Sequence, residues 1–245
     1  MLFLNKKEIP FSEIVPENYV DIHSHLLPGI DDGVKTVYQS AYIIEQFEKI
    51  GVKKIITTPH VIQEIWPNTS QIILDKLEQL KIILPTLGIN NITLQASAEY
   101  MMDDLFYQRI KENDIIPLHK NYILVEMSTF NVPINLNEII FEIKLAGYTP
   151  ILAHPERYMF YNNDLKKFDD LKEAGFLFQL NLLSLTGYYG DHIKAFAKKP
   201  IEHNYIDFTG TDVHNYHQLG ILEKGFNPNV SKKINSLMKN NCVFS

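Results

Sequence analysis

The chain has 245 residues, 45% hydrophobic and 21% charged, with a net charge of −6 when its nine histidines are counted neutral. That suits an α/β chain with a full core, and an acidic chain with no long Lys/Arg cluster is a poor binder of nucleic acid or anionic membrane. No apolar run is long enough to insert in a bilayer, the first residues lack signal-peptide order, and a single cysteine, Cys242, excludes an internal disulfide, so a cytoplasmic protein is expected.

Residues 1–18 read as a short extension to a single domain covering 1–245, with Pro10 and Pro16 preventing a long helix. Residues 19–22 form a first short strand that runs into His23-Ser-His25. Alternation along a strand puts His23 and His25 on one face, where two imidazoles can chelate a cation; Asp21 shares that face and is placed to orient a ring. The polar loop 28–33 then brings in Asp31 and Asp32. Thr36 caps a helix whose apolar residues Val37, Ile43, Ile44, Phe47 and Ile50 lie near helical spacing, and Gly51 ends it. A β-branched strand at 53–58 stops at Pro59, and His60 follows.

Ile73, Leu77, Leu80, Leu84 and Leu87 mark a helix over 70–87, with Pro85 ending or kinking it and Gly88 closing it. Strand three, 91–98, ends in Glu99. A helical piece at 103–111 leads to strand four, 122–125, which ends in Glu126. A helix follows from Leu136 to Gly147, and strand five, 149–153, ends in His154. Leu165, Phe168 and Leu171 mark the next helix, and strand six, 176–180, ends in Asn181. A helix over 191–203 precedes strand seven, 205–209, which runs into Asp212 and His214; a last helix covers 230–238. Cys242, with three residues after it, cannot head a phosphate-binding loop and is expected to be a small buried residue near the terminus.

Seven strand–helix units imply parallel strands and right-handed crossovers, hence a distorted seven-stranded (β/α)7 TIM-like barrel, with a doubly wound open sheet as the alternative. In a barrel all strand ends meet at one mouth. Taken singly, His60 after a Thr-Thr-Pro turn reads as a loop residue and Glu126 as a solvated strand end. Jointly, nearly every strand ends in a metal-ligand side chain, which is too much for one cation and suits two or three. Imidazole with carboxylate and no thiolate suits Mn²⁺, Fe²⁺ or Zn²⁺. Such a pair can drive phosphoryl transfer or amide hydrolysis. Arg157, three residues after His154, favours phosphate; a surface ion pair with Glu156 or Asp164 is its other reading. His119, His192, His203 and His217 read as ordinary surface or core residues.

Asp21-Ile-His-Ser-His25, Asp31-Asp-Gly33, Thr58-Pro-His60, Ala98-Glu-Tyr100, Val125-Glu126, Ala153-His-Pro-Glu-Arg157 and Thr211-Asp-Val-His214 together resemble the polymerase-and-histidinol-phosphatase (PHP) superfamily. Within it they are most similar to the bacterial capsule-type, manganese-dependent tyrosine-protein phosphatases. The resemblance covers residues 19–220 and implies a PHP-fold barrel holding three divalent metals. His23, His25, Glu99 and Asp212 would hold the first; Glu99 would bridge to the second, held also by Glu126 and His154; Asp32, His60 and His214 would hold the third. Arg157 would bind the phosphate and a metal-bridging hydroxide would attack phosphorus; the sequence points to no obvious acid for the leaving group, a role open to a metal-bound water. The implied partner is a membrane tyrosine kinase whose phosphorylated tyrosine-rich tail regulates exopolysaccharide synthesis. Histidinol phosphate as substrate, or a non-catalytic metal-containing kinase partner, are the alternatives. The resemblance also implies basic residues after His60 and an arginine after His214. Here those stretches read Val-Ile-Gln-Glu-Ile-Trp and Asn-Tyr-His-Gln-Leu. Trp66 and Tyr216 stand there instead and offer faces to an aryl ring, with buried packing the other role for an isolated tryptophan.

Overall fold

The structure, a computed structural model, describes residues 7–161 and 164–245; residues 1–6 of the expected extension lie outside the described residues. The elements run α1 (Phe11–Ile14), β1 (Val20–Asp21), α2 (Val37–Lys49), β2 (Lys54–Thr57), β3 (His60–Val61), α3 (Ser70–Ile83), β4 (Thr93–Ala96), β5 (Glu99–Met101), α4 (Asp104–Glu112) and β6 (Tyr122–Glu126). They continue through α5 (Leu136–Leu145), β7 (Thr149–Ala153), α6 (Lys166–Glu173), β8 (Leu177–Asn181), α7 (Asp191–Phe196), α8 (Lys198–Glu202), β9 (Phe208–Gly210), α9 (Tyr216–Lys224) and α10 (Pro228–Met238). Every strand pair is parallel, in the orders β1-β2-β4 and β3-β5-β6-β7-β8-β9.

The second and third strands stop where expected but each resumes beyond the break, as β3 after Pro59, which has no N–H to give a ladder, and as β5 after Ser97-Ala98. The breaks are matched across the pair: the Ser97 amide donates to the Thr57 carbonyl and the Glu99 amide to the Pro59 carbonyl. Seven strand positions remain. The first and last meet at a parallel bridge, Ser24–Val213, where the Asp212 amide donates to the His23 carbonyl at 2.7 Å and the His25 amide to the Val213 carbonyl at 2.9 Å. This is the distorted barrel that the alternation of elements predicts.

Strand parity divides the core into two. Val20, Ile56, Leu124, Ile151 and Phe208 pack in one cluster with Phe244. Ile55, Ile123, Val125 and Leu152, adjacent in sequence to members of that set, pack in the larger cluster with the helices. Thr36 caps α2 in a capping box with Gln39, and Pro85 lies in the 3₁₀ turn where α3 ends. α9 was not expected from the sequence. Its buried side chains are Gln218, Leu219 and Leu222, too few apolar positions to mark a stripe, and Asn215 caps it. Within the extension, Ile9 bridges to Phe226 and Ser12 bonds Glu223, so α1 docks on the last two helices.

Cys242 is exposed, contrary to the buried position expected for it. The reason is the period of the 3₁₀ turn Lys239–Phe244: Asn241 and Phe244, three apart, face inward and Cys242 faces out. Among the described residues, no helix is long and apolar enough to cross a membrane.

Candidate metal centre

The carboxyl ends of the strands bring all nine sequence-predicted metal ligands together. His23, His25, Glu99, His154 and Asp212 are buried, Glu126 nearly so, and His60 and His214 are half-buried. Asp32 is 49% exposed and stands at the rim, 3.5 Å from His60 Nε2 and 3.4 Å from His214 Nε2. Ligand atoms close enough to share an ion form four overlapping groups: His25 with Asp32, His60 and His214; His23 with His154 and Asp212; His23 with His25 and Glu99; and His60 with Glu99 and Glu126.

The ring nitrogens are aimed from behind. His25 Nδ1 lies 2.8 Å from Asp31 Oδ2, and His23 Nδ1 lies 2.8 Å from Gln179 Oε1. Both partners accept, so each Nδ1 carries the proton and each Nε2 presents a lone pair. Those two Nε2 atoms face each other at 3.4 Å. Glu99 Oε2 sits among them, 3.2 Å from His23 Nε2, 3.5 Å from His25 Nε2 and 3.1 Å from His60 Nδ1, yet it is buried without a hydrogen bond. Buried acceptors crowded together without donors need a cation between them. Ligands about 2.1 Å from one metal stand about 3.0–3.4 Å from one another, so the donor set fits divalent ions.

Burial works against ionised Glu99, but His23 and His60 hold its carboxyl well below the usual range. His23, His25 and other neighbours do the same for Asp212. Burial opposes the charged form of His60 too, yet Glu126 and Glu99 push it up to about 10.

Two ligands leave their strands in the left-handed region, His154 at φ 36° and Asp212 at φ 52°. Non-glycine residues avoid that region, and the turn swings each side chain into the mouth. Gly210 has a different reason to be glycine: a Cβ there would stand 2.5 Å from His23 Cβ. Only a bare backbone lets the last strand approach the first ligand so closely.

The expected role of Asp21 is corrected. Its two oxygens accept from the Thr211 amide and hydroxyl, tying the first strand to the last, while Asp31 and Gln179 orient the rings. Val20 and Ile22 pack in one cluster, so the alternation holds; Asp21 does not orient a ring because Thr211 engages both of its oxygens. Asn181 also differs from a ligand: its Nδ2 donates to Asp212 Oδ2 at 2.6 Å. The sequence reading missed Gln179 and Tyr189. A glutamine inside an apolar strand was the signal for the first; Tyr189 lies in a loop with no pattern.

Arg157 donates to Asp212 Oδ2 at 3.0 Å and lies over the Tyr189 ring, 4.4 Å from its centroid. It lines a cavity of about 310 Å³ with Asp32, His60, Glu126, Tyr188 and Gln218. Trp66 stacks on His60 with ring centroids 5.2 Å apart. Tyr216, at the start of α9, is exposed. A larger cleft beside α7, α8 and α10 holds none of these ligands.

Residues 19–242 match the family described as capsular polysaccharide synthesis, CpsB/CapC. CapC of Staphylococcus aureus is 31% identical over 80% of this chain and 76% of its own length. Tyrosine-protein phosphatase YwqE of Bacillus subtilis (strain 168) is 28% identical over 92% of this chain and 93% of its own. A crystal structure from work on YwqE and Streptococcus pneumoniae CpsB, described as metal-dependent tyrosine phosphatases, has a TM-score of 0.76 at 26% identity, covering 90% of this chain and 86% of that one. Histidinol phosphate phosphatase of Lactococcus lactis shares the fold, with a TM-score of 0.52 at 14% identity over 92% of this chain and 94% of that chain. With its match running from the first strand to the last turn, the chain belongs to the CpsB/CapC family of capsular polysaccharide synthesis proteins.

Proposed function

We propose that this protein is a metal-dependent phosphatase that hydrolyses phosphotyrosine in protein. The observation that carries the reading is Glu99 Oε2, buried without a hydrogen bond among three imidazole nitrogens at the mouth of a CpsB/CapC barrel. Its relatives named as tyrosine-protein phosphatases supply the substrate class. The natural substrate in this reading is a cytoplasmic tyrosine segment of a bacterial kinase controlling capsule synthesis.

Three divalent ions, Mn²⁺ foremost, would be held by the residues already described. His23, His25, Glu99 and Asp212 would hold one ion, Glu99, Glu126 and His154 a second, and Asp32, His60 and His214 a third. Divalent ions there would supply Lewis acidity and an activated water for phosphoryl transfer. The chain's own residues do the rest. Asp31 and Gln179 keep the Nε2 lone pairs of His25 and His23 pointed inward. Arg157 sits in the cavity wall, where Asp212 and the face of Tyr189 hold its guanidinium ready for phosphoryl oxygens.

The test is phosphate release from phosphotyrosine peptide, phosphoserine peptide and histidinol phosphate, each with Mn²⁺ and with chelator. Chelator-sensitive turnover favouring phosphotyrosine is expected. Turnover of histidinol phosphate alone would move the assignment to small molecules. Arg157→Lys keeps the charge but loses the planar fork and the stacked face, so kcat/KM for phosphotyrosine should fall by about 10- to 100-fold, the value of one charged hydrogen bond. Steady-state kinetics showing less than a twofold loss would remove Arg157 from phosphate binding.

A further inference from the structure

The loops that leave the carboxyl ends of the strands form the rim around the metal centre, and their composition is unusual for a site that takes a dianion. Among the described residues, the loops after the strands carry two cations, Lys35 and Arg157. Both are engaged: Lys35 Nζ donates to the Asp31 carbonyl at 2.6 Å, and Arg157 pairs with Asp212. Glu64 and Asp103 add negative charge to the same rim.

Apolar side chains occupy the places that remain. Phe130 is 89% exposed and Ile134 fully exposed, in the loop that starts directly after the ligand Glu126. Ile65 is exposed next to Trp66, which covers His60. Across the mouth, Tyr188 lines the cavity, whereas Tyr216 turns away to pack beside Tyr42 and Gln46 of α2. The rim side chains come from the loops after strands two, four and six, which leave the same end of the sheet as the site. Single exposed apolar residues are ordinary on any surface. Several of them on the loops a substrate must cross make a recognition surface.

We propose, building on the phosphatase reading, that this rim selects phosphotyrosine segments whose flanking residues are uncharged and apolar, and disfavours acidic flanks. The phosphoryl group has to reach the ligands, so the residues on either side of it lie across the loop that carries Phe130 and Ile134 and the cavity wall formed by Tyr188. Apolar flanks bury surface there. Acidic flanks meet Glu64 and Asp103 with no unengaged lysine or arginine in these loops, and like charges brought together discriminate against the wrong partner.

The experiment uses the full, Mn²⁺-loaded protein and three phosphotyrosine peptides of equal length with Leu/Val, Ser/Gly or Asp/Glu flanks, with p-nitrophenyl phosphate as the probe that has no flanks. The expected order of kcat/KM is apolar, then neutral polar, then acidic, with at least a tenfold span. The double variant Phe130→Ser, Ile134→Ser replaces exposed side chains and should fold. In it, KM for the apolar peptide should rise at least fivefold relative to KM for p-nitrophenyl phosphate in the same preparation. Equal or better turnover of the acidic peptide overturns the proposal. So does a double variant that keeps the flank preference, or one that only converts an oligomer to a monomer on size-exclusion chromatography. Loss of the preference with p-nitrophenyl phosphate still hydrolysed leaves the phosphatase reading standing, whereas no hydrolysis of any aryl phosphate removes both.

Discussion

Glu99→Gln is expected to lower phosphatase turnover by about 1,000-fold or more, because metal-ion stabilisation is worth several kcal/mol and each 1.4 kcal/mol is a factor of ten. The substitution keeps the shape of the side chain and removes its charge. In the structure that charge is shared: Glu99 Oε2 lies within 3.5 Å of nitrogens on His23, His25 and His60, and Oε1 lies 2.9 Å from His154 Nε2. No other carboxylate touches so many of the imidazoles. An amide offers one neutral oxygen and a donor nitrogen, which would face lone pairs on the oriented rings. Metal content by mass spectrometry should fall together with activity. A variant that retains its full complement of metal and turns over within tenfold of the wild type would sink the assignment of Glu99 as the shared ligand.

The second large effect is on stability and lies at the other end of the barrel. Phe244 is fully buried in the cluster with Val20, Ile56 and Phe208, its ring 5.0 Å from Phe208 and 5.7 Å from Tyr122. Beside it, Asn241 Nδ2 donates to the Val20 and Thr209 carbonyls and its Oδ1 accepts from the Thr209 amide, so one side chain staples the first strand to the last. The Lys54 ammonium at the start of β2 donates to the Phe244 carbonyl. Phe244→Ala should therefore cost about 3–5 kcal/mol. For a chain of this size that lowers Tm by roughly 6–20 °C. Phe244 is remote from the mouth, so turnover per folded molecule at low temperature should hold. An unchanged Tm in calorimetry would show that the C-terminal turn does not plug the barrel.

Much of this was legible before the structure. The alternation of short apolar runs with helical stripes specifies parallel strands, because strand–helix–strand units allow little else. The ligands were legible because they stand directly at strand ends, where position along the chain alone brings them to one mouth. His60, Glu99, Glu126 and His154 each follow their apolar strand within two residues, and the structure gathers all of them. α9 and the resumed strands were not legible. A helix with two buried leucines has no stripe, and a strand broken at Thr58-Pro59 keeps its apolar composition on both sides of the break.

By itself the sequence determined the parallel alternation of strands and helices and which candidate ligands stand at strand ends, since each depends on local periodicity and on residues within one strand–turn unit. Only the tertiary structure decided what aims those side chains. Asp31 rather than Asp21 orients His25, and Gln179, more than 150 positions along the chain, orients His23. It also decided that Arg157 is held by Asp212 and Tyr189, that Cys242 faces outward, and that Phe130 and Ile134 stand exposed in the loop after Glu126. Each of these depends on a contact between distant parts of the chain or on which side of a turn faces out, and hydrogen bonds across a barrel leave no period in the sequence.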